Sequence, residues 1–307
     1  SINKLMSGQL TLTENTWESI ISKNGSNKES WTESLKVMGH MALLRNLRNL
    51  VEKEVPVESY RTKLIEGAKK GQQLPFRYFS AYRAIEGIAP GNLLDAIEES
   101  LMVSIDNLPS LPGKTISLCD NSGSARGSMT SSMGTVAINH IANLTGILTG
   151  LMSDDGYLGV FGDRLSRMPI RKKSSVFDML KEANSLGDGV GGSTENGVWI
   201  FLRDAIANKE HFDNIFIFSD MQAGHGGLYG TDPKEYESFV FPNKGNYLDV
   251  AKLIQQYRSK VNSKVNVFLV QVAGYQDTIV PEFYDRTYIL GGWGEGLLRF
   301  AASMANQ

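Results

Sequence analysis

The hydrophobic pattern changes at residues 107–114, and this change constrains the fold more than any other feature of the chain. The stretch reads Asn-Leu-Pro-Ser-Leu-Pro-Gly-Lys, which is rich in turn-forming residues. After it, short apolar runs alternate with helical stretches, as in α/β domains. Before it, apolar residues recur at spacings of three and four. That spacing predicts helices at 16–22, 31–51, 60–69, 76–85 and 92–105.

The part after residue 114 predicts a doubly wound α/β domain with a mostly parallel sheet. The predicted strands are 115–119, 157–161, 215–219, 265–272 and 286–290. The predicted helices are 130–151, 175–185, 196–208, 248–260 and 295–304. The earlier part predicts an all-α helical-repeat segment of the HEAT-like kind, since short loops join its helices. We therefore place the helical-repeat segment at 1–110 and the α/β domain at 111–307.

Composition excludes several classes of protein. The 307 residues carry a net charge of −2, which does not fit a protein that coats nucleic acid over its whole surface. Apolar runs fall short of the roughly 18 residues that a membrane span needs, so no membrane partner is expected. The one cysteine, Cys119, excludes an internal disulfide and fits a buried thiol in a cytoplasmic protein. The first residue is Ser1, without a secretory signal, and we expect the chain to be cut from something longer.

Oxygen-bearing side chains follow two of the predicted strands. Asp120, Ser122 and Ser124 come at alternate positions after the first strand. Thr194 lies in a glycine-rich loop, and Asp220 follows the strand at 215–219. Loops at the carboxyl ends of parallel strands share one edge of the sheet, so these oxygens are expected to converge. Such ligands suit Mg²⁺ (or Mn²⁺). The alternative is a metal-free loop that keeps these residues for its turn geometry.

This ordered set resembles the metal-ion-dependent adhesion site of von Willebrand A-type domains. Ser122 and Ser124 would coordinate the cation directly, and Asp120 and Asp220 would hydrogen-bond to its other ligands. Thr194 would enter or leave the coordination sphere as its loop moves. A site with so little carboxylate invites an anionic ligand from outside, so we expect an acidic protein partner. A phosphoester hydrolase would need more acidic ligands, and a serine hydrolase would need a histidine base, so we expect no enzyme activity.

Basic residues are concentrated between residues 36 and 83, where the net charge is +6. Clustered Arg and Lys give strong, salt-sensitive affinity for phosphates. The predicted RNA-binding residues are Arg45, Arg48, Lys69, Lys70 and Arg77. The alternative is that these cations form an ordinary solvated helix face.

Two groups of apolar and aromatic residues lie in this basic stretch. Val37, Met41 and Leu44 would lie on one apolar stripe of the helix predicted at 31–51. The neighbouring aromatic residues could stack on unpaired bases, or they could belong to the core. These aromatic residues are Tyr78, Phe79 and Tyr82.

Two stretches of sequence resemble the Ro ribonucleoprotein family, whose ring-shaped members carry a TROVE module. The first is 31–50, with the string Met-Ala-Leu-Leu-Arg-Asn-Leu at 41–47. The second is Leu-Pro-Phe-Arg-Tyr at 74–78, followed in order by the 114–124 entry to the A-type domain. The resemblance covers the carboxyl-terminal part of a family member. It implies helical repeats closed by the A-type domain, and noncoding RNA as partner: single-stranded 3′ ends of misfolded RNA in the ring, and Y-type RNA outside it.

The metal site carries over from the family at all five motif positions, and two features depart from the family pattern. Glu195 stands where the family commonly has Asp, and 221–247 is longer than expected. We therefore expect an RNA-binding scaffold with a Mg²⁺-dependent adhesion site. The alternative is a protein-interaction or structural assembly component built on the A-type domain, with no RNA binding.

Overall fold

The computed structural model forms two compact units, Ser1–Asn107 and Leu108–Gln307. The residues that it describes are 16–71, 73, 75–127, 129–130, 136–193, 196–219, 238–239, 248–272, 285–291 and 295–307. Within these residues no helix is both long and apolar enough to cross a membrane. The predicted fold class, a helical segment followed by an α/β domain with a mostly parallel sheet, is confirmed.

The first unit is built from helices, and two of them begin at side-chain caps. Thr16 Oγ1 accepts a hydrogen bond from Ser19 N at 3.2 Å, and Asn27 Oδ1 accepts one from Ser30 N at 2.9 Å. Such caps satisfy amide groups that the first turn of a helix leaves unpaired. The helices are α1 (Trp17–Asn24), α2 (Lys28–Ser34), α3 (His40–Arg45), α4 (Leu47–Glu52), α5 (Arg61–Lys69), α6 (Pro75–Ile85) and α7 (Gly91–Ile105).

The prediction of one continuous helix over 31–51 is wrong. Gly39 has extended backbone (φ −73°, ψ 166°) where α3 begins, and Asn46 leaves the helical region (φ −104°, ψ 9°) where α3 ends. Asn46 also donates its side-chain amide to the carbonyl oxygen of Ala42 at 2.9 Å. Short polar side chains compete in this way with the helical hydrogen bonds, and here one helix ends at Arg45 and the next begins at Leu47.

The core of the first unit differs accordingly from the predicted stripe. Leu44 is buried, whereas Val37 and Met41 are 45% and 48% exposed. Helix α7 packs against both α5 and α6. Leu64 of α5 and Leu93 of α7 are fully buried in this core. Burying one such side chain contributes about 1.5–3 kcal/mol, so this three-helix contact stabilises the unit.

The second unit contains a six-stranded sheet in the order β5-β4-β1-β6-β7-β8. All neighbouring pairs are parallel except β4 with β5, which is antiparallel. The strands are β1 (Leu111–Asp120), β4 (Ser153–Phe161), β5 (Leu165–Pro169), β6 (Asn214–Ser219), β7 (Asn266–Gln271) and β8 (Thr287–Gly291). A small antiparallel pair is formed by β2 (Met129–Thr130) and β3 (Val136–Ala137).

Two predictions for the second unit are wrong in detail. Strand β5 was not predicted from the sequence, because its residues do not form an apolar run. It holds the polar residues Ser166 and Arg167 and ends in Pro169, which an edge strand tolerates. The helix predicted at 130–151 begins only at Ile138, because β2 and β3 occupy part of the preceding stretch. The helices are α8 (Gly123–Gly127), α9 (Ile138–Met152), α10 (Val176–Asp188), α11 (Gly197–Ala207), α12 (Val250–Lys260) and α13 (Glu295–Ala305).

Helix α9 packs directly on β1 and β4. Nearly every residue of α9 is buried, which explains its apolar character on all sides. A side chain at Gly146 would overlap Leu158 and Cys119, so this glycine allows the helix to approach the sheet closely. Cys119 is fully buried, as predicted.

The order of the strands defines a site at one edge of the sheet. Strand β1 lies between β4 and β6. After β1 the chain forms β4 and β5 on one side of it, and later β6, β7 and β8 on the other side. Doubly wound sheets bind ligands where the order reverses in this way, outside the carboxyl ends of the strands. Asp120 and Ser219 are the last residues of β1 and β6, and both lie at this edge.

Candidate functional site

A groove in the first unit brings together two of the predicted RNA-binding residues. It has a volume of about 200 Å³ and runs along α3 and α6. Arg45 and Arg77 line it together. Its other lining residues are Met41, Leu44, Gln73, Ser80, Ala81 and Ala84. We call this cavity the basic groove.

A second cavity of about 560 Å³ adjoins the basic groove and shares Met41, Arg45 and Gln73 with it. This cavity adds the indole of Trp17 and one carboxylate, that of Glu18. The two cavities together form an extended trough rather than a closed pocket. Its surface combines apolar side chains with the two guanidinium groups, which is the composition that single-stranded nucleic acid needs.

The predicted cations differ in their ion pairs. Arg48 pairs with Glu52 at 2.8 Å, and Lys69 pairs with Glu66 at 3.1 Å. Among the residues that the structure describes, no carboxylate lies within ion-pair distance of the other three predicted cations, Arg45, Lys70 and Arg77. Exposed ion pairs are worth only about 0–1 kcal/mol, but they still neutralise local charge. Arg45 and Arg77 are thus the predicted cations that line the groove and form no ion pair within the described part of the chain.

Of the aromatic residues that could stack on bases or belong to the core, two belong to the core. Tyr78 and Phe79 are buried in the core, so their faces are not available to a ligand, and Tyr82 is half-buried. The hydroxyl of Tyr78 lies 2.8 Å from Nε2 of His40. Burial raises the pKa of Tyr78 well above its ordinary value and lowers the pKa of His40. His40 is therefore neutral near pH 7 and adds no charge to the trough.

Sequence reasoning missed Met41 and Gln73 as groove residues. Met41 was assigned to a buried stripe, and its exposure follows from the break at Gly39. A partial signal was present, because Met41 and Arg45 are one helical turn apart in the distinctive 41–47 string. Gln73 lies in the loop before α6, where no periodicity guides a prediction.

A second site lies in the other unit, at the end of β1. Asp120 and Ser122 are buried, and Ser124 is half-buried. Ser122 N donates to Asp120 Oδ1 at 2.9 Å, and the hydroxyl oxygens of Ser122 and Ser124 are 3.1 Å apart. Two neighbouring oxygen ligands of an octahedral Mg²⁺ ion, each at about 2.0–2.1 Å, are separated by about 2.9 Å. The donor set at 120–124, which we call the hydroxyl loop, therefore fits a hard cation.

Two other segments meet the hydroxyl loop. Ser219 Oγ donates to Asp120 Oδ2 at 3.3 Å, and Gly123 N donates to Gly192 O at 3.0 Å. These contacts bring the end of β6 and the glycine-rich loop after α10 to the same edge of the sheet. The remaining two predicted ligands, Thr194 and Asp220, lie outside the described residues, as do Glu195 and most of the 221–247 segment.

The described residues contain no group of three or more His, Cys, Asp or Glu side chains that could hold a metal ion. A binuclear or carboxylate-rich site is thus not found in that part of the chain. Cys119 is next to Asp120, but burial and the neighbouring carboxylate both raise the pKa of its thiol. Its Sγ lies 3.1 Å from the carbonyl oxygen of Ala142, which fits a packed, protonated thiol.

Comparison with known proteins yields two similarities. Residues 9–113 match the family described as the TROVE domain. The fold is similar to the crystal structure of the Ro (RSR) protein of Deinococcus radiodurans, with a TM-score of 0.65 and 15% sequence identity. That similarity covers 95% of this chain and 57% of the Deinococcus chain, so the present chain spans little more than half of its relative. No curated protein matches.

Proposed function

The chain is a member of the Ro/TROVE family, and we propose on that basis that it binds RNA through the basic groove. The observation that carries the proposal is the pairing of Arg45 and Arg77 on one trough, without a carboxylate within ion-pair distance in the described part of the chain. Each guanidinium can hold a phosphate by two parallel hydrogen bonds. Met41, which is 48% exposed, supplies apolar surface on which the flat face of a base can rest.

The lining of the trough favours unpaired RNA over a duplex. Its apolar side chains and guanidinium groups suit unstacked bases and their phosphates, whereas double-stranded RNA is bound mainly through its phosphates and 2′-hydroxyl groups. We propose as its ligands the RNAs that the family resemblance implies, which are noncoding RNA of the Y type and the 3′ ends of misfolded RNA. A 3′ overhang on a structured RNA should then bind more tightly than the same RNA with a blunt end.

The test is RNA binding by the double variant Arg45→Ala/Arg77→Ala, followed by fluorescence anisotropy with a labelled single-stranded oligonucleotide. Each phosphate contact with a single strand contributes about 0.7 to the slope of the logarithm of the association constant against the logarithm of the salt concentration. Loss of two such contacts should therefore weaken binding about tenfold at 0.15 M salt. Arg48→Ala is the matched control, because Arg48 is paired with Glu52 and does not line the groove. Equal losses in the control and the double variant would contradict the assignment of the groove.

We also propose that the hydroxyl loop holds Mg²⁺ (or Mn²⁺). Ser122 and Ser124 would be direct ligands with Thr194, and Asp120 and Asp220 would accept hydrogen bonds from hydroxyls or water at the ion. The 3.1 Å separation of the two serine oxygens supports this assignment. The bound cation would supply a positive charge at the edge of the sheet. An acidic side chain of a protein partner is the ligand that such a site would recruit.

Addition of Mg²⁺ should raise the melting temperature of the wild-type chain relative to EDTA. A ligand at one hundred times its dissociation constant stabilises by about 2.7 kcal/mol, which corresponds to roughly 5–10 °C for a unit of this size. Asp120→Ala should remove the increase. Asp106→Ala, an exposed carboxylate of the other unit, should keep it. An increase that persists in Asp120→Ala would place the cation elsewhere.

Two other functions, that of an enzyme and that of a protein-interaction component, compete with RNA binding. We propose that it is not an enzyme, since the described donors at the hydroxyl loop are one carboxylate and hydroxyl groups rather than the acidic ligands of phosphoesterases. The competing function is that of a protein-interaction component without RNA binding. Arg45 and Arg77 are exposed, and no described carboxylate forms an ion pair with them, which supports RNA over that alternative.

A further inference from the structure

Four asparagine side chains form a hydrogen-bonded chain behind the hydroxyl loop. Asn121 belongs to the loop itself, Asn139 and Asn143 to α9, and Asn184 to α10. Asn121 and Asn143 exchange two hydrogen bonds through their carboxamides, at 2.8 and 3.1 Å. Asn143 Nδ2 also donates to Asn184 Oδ1 at 2.9 Å, and Asn139 Nδ2 donates to Asn121 Oδ1 at 3.3 Å. We call this set the asparagine relay.

Asn121 is fixed at every polar atom. Its Nδ2 also donates to the carbonyl oxygen of Cys119 at 3.0 Å, and its backbone amide donates to the carbonyl oxygen of Phe161 at 2.8 Å. Its own carbonyl oxygen accepts from Arg126 Nε at 2.8 Å. Asn121 stands between Asp120 and Ser122, so its orientation determines where those two side chains project. Buried polar groups held this completely resist displacement, because each broken bond leaves an unsatisfied atom.

The relay reaches the second loop of the candidate cation site through α10. Asn184 is half-buried near the end of α10, and Gly187 on the next turn lies directly against Asn121. The chain then continues to Gly192, whose carbonyl oxygen accepts the hydrogen bond from Gly123. The hydroxyl loop is therefore tied to α10 by side chains and to the loop after α10 by backbone. A shift of α10 would move both loops together.

We propose that Asn143 and Asn184 are positioning residues for the cation site, which set the hydroxyl loop at ligand distance and couple it to the glycine-rich loop at Gly192. This inference rests on the proposed metal site. Neither residue is itself a ligand. They act on Asp120, Ser122 and Ser124 through Asn121. Outer-shell hydrogen bonds of this kind typically change metal affinity by ten- to a hundredfold when they are removed.

The test uses Asn184, because its half-exposed position on a helix allows substitution without unfolding. Asn184→Ala removes the acceptor for Asn143 Nδ2, whereas Asn184→Asp keeps an acceptor oxygen at that position. Ser185→Asp, at the exposed neighbouring residue, controls for the added charge. The measurements are the Mn²⁺ dissociation constant from the electron paramagnetic resonance signal of free Mn²⁺, the melting temperature in EDTA, and hydrogen exchange at the Gly123 amide in EDTA.

Asn184→Ala should weaken Mn²⁺ binding about tenfold and speed exchange at Gly123. Because Asn143 Nδ2 still donates to Asn121 Oδ1, the melting temperature in EDTA should fall only slightly. Asn184→Asp should retain the affinity of Ser185→Asp. Unchanged Mn²⁺ affinity and unchanged Gly123 exchange in Asn184→Ala would overturn the relay. If the wild type binds no Mn²⁺ while Gly123 exchange still depends on Asn184, the proposed metal site fails, and the relay stands only as a coupling between α10 and the hydroxyl loop.

Discussion

His40 illustrates how one buried side chain can shape a surface site without contacting the ligand. Its ring contacts the Tyr78 hydroxyl on α6 and packs against Gly67 on α5, where an added Cβ would lie 2.0 Å from Nδ1. His40 is also the first residue of α3, the helix that carries Arg45. The contacts of His40 therefore fix α3 relative to the two neighbouring helices, and with it one wall of the basic groove.

Burial of His40 predicts that the first unit loses stability in mild acid. The pKa of His40 is lowered from its ordinary 6.5 by desolvation, so below about pH 6.5 the unfolded chain binds a proton that the native state excludes. Stability therefore falls as the pH drops through that value. The urea midpoint should be lower at pH 5.5 than at pH 7.5, and His40→Gln, which keeps a partner for Tyr78, should reduce the difference. His211→Gln, at an exposed histidine, should leave it unchanged.

At the scale of elements, hydrophobic periodicity was sufficient to predict a helix or strand wherever that element buries a regular set of apolar residues. Strand β6 and helix α10 were predicted close to their observed bounds, since Ile215 and Ile217 are buried in one and Val176 and Leu180 in the other. Periodicity did not predict the helix break at Asn46, where a side-chain hydrogen bond ends the helix. It also did not predict β5, which lies at the edge of the sheet.

The candidate sites show the same division. The hydroxyl loop could be predicted because its spacing of two is local, so Asp120, Ser122 and Ser124 are brought together by one turn of chain. Arg45 and Arg77 are 32 positions apart, and only the packing of α3 and α6 makes them neighbours on one groove. The asparagine relay joins four separate positions through tertiary contacts, which no sequence period reveals. The prediction of HEAT-like repeats remains a prediction.

Helix α10 offers a matched pair of glycines that tests its contact with the hydroxyl loop. A Cβ at Gly187 would lie 2.3 Å from Asn121 Oδ1, whereas one at Gly189 would meet nothing closer than 3.5 Å. Neither glycine has a positive φ, so backbone strain does not separate them. Gly187→Ala should destabilise the second unit by about 1–3 kcal/mol, the usual effect of overpacking. Gly189→Ala should change stability by less, and equal urea midpoints for the two variants would contradict the contact.

The whole molecule combines two units with different chemistry. The first carries the basic stretch at 36–83 and the trough, and the second carries the hydroxyl loop at a topological switch point. The net charge of −2 means that acidic residues elsewhere offset the basic stretch. On the proposed function, an anionic polymer such as RNA would thereby be directed to one part of the surface rather than bound everywhere.

The dependence of RNA affinity on salt tests the central claim most directly, because it counts the phosphates that the protein neutralises. The logarithm of the association constant should fall linearly with the logarithm of the salt concentration for the wild type. For Arg45→Ala/Arg77→Ala, the account predicts a slope that is shallower by about 1.4, or about 0.7 for each lost phosphate contact with single-stranded RNA. A slope identical to that of the wild type would contradict RNA binding in the basic groove.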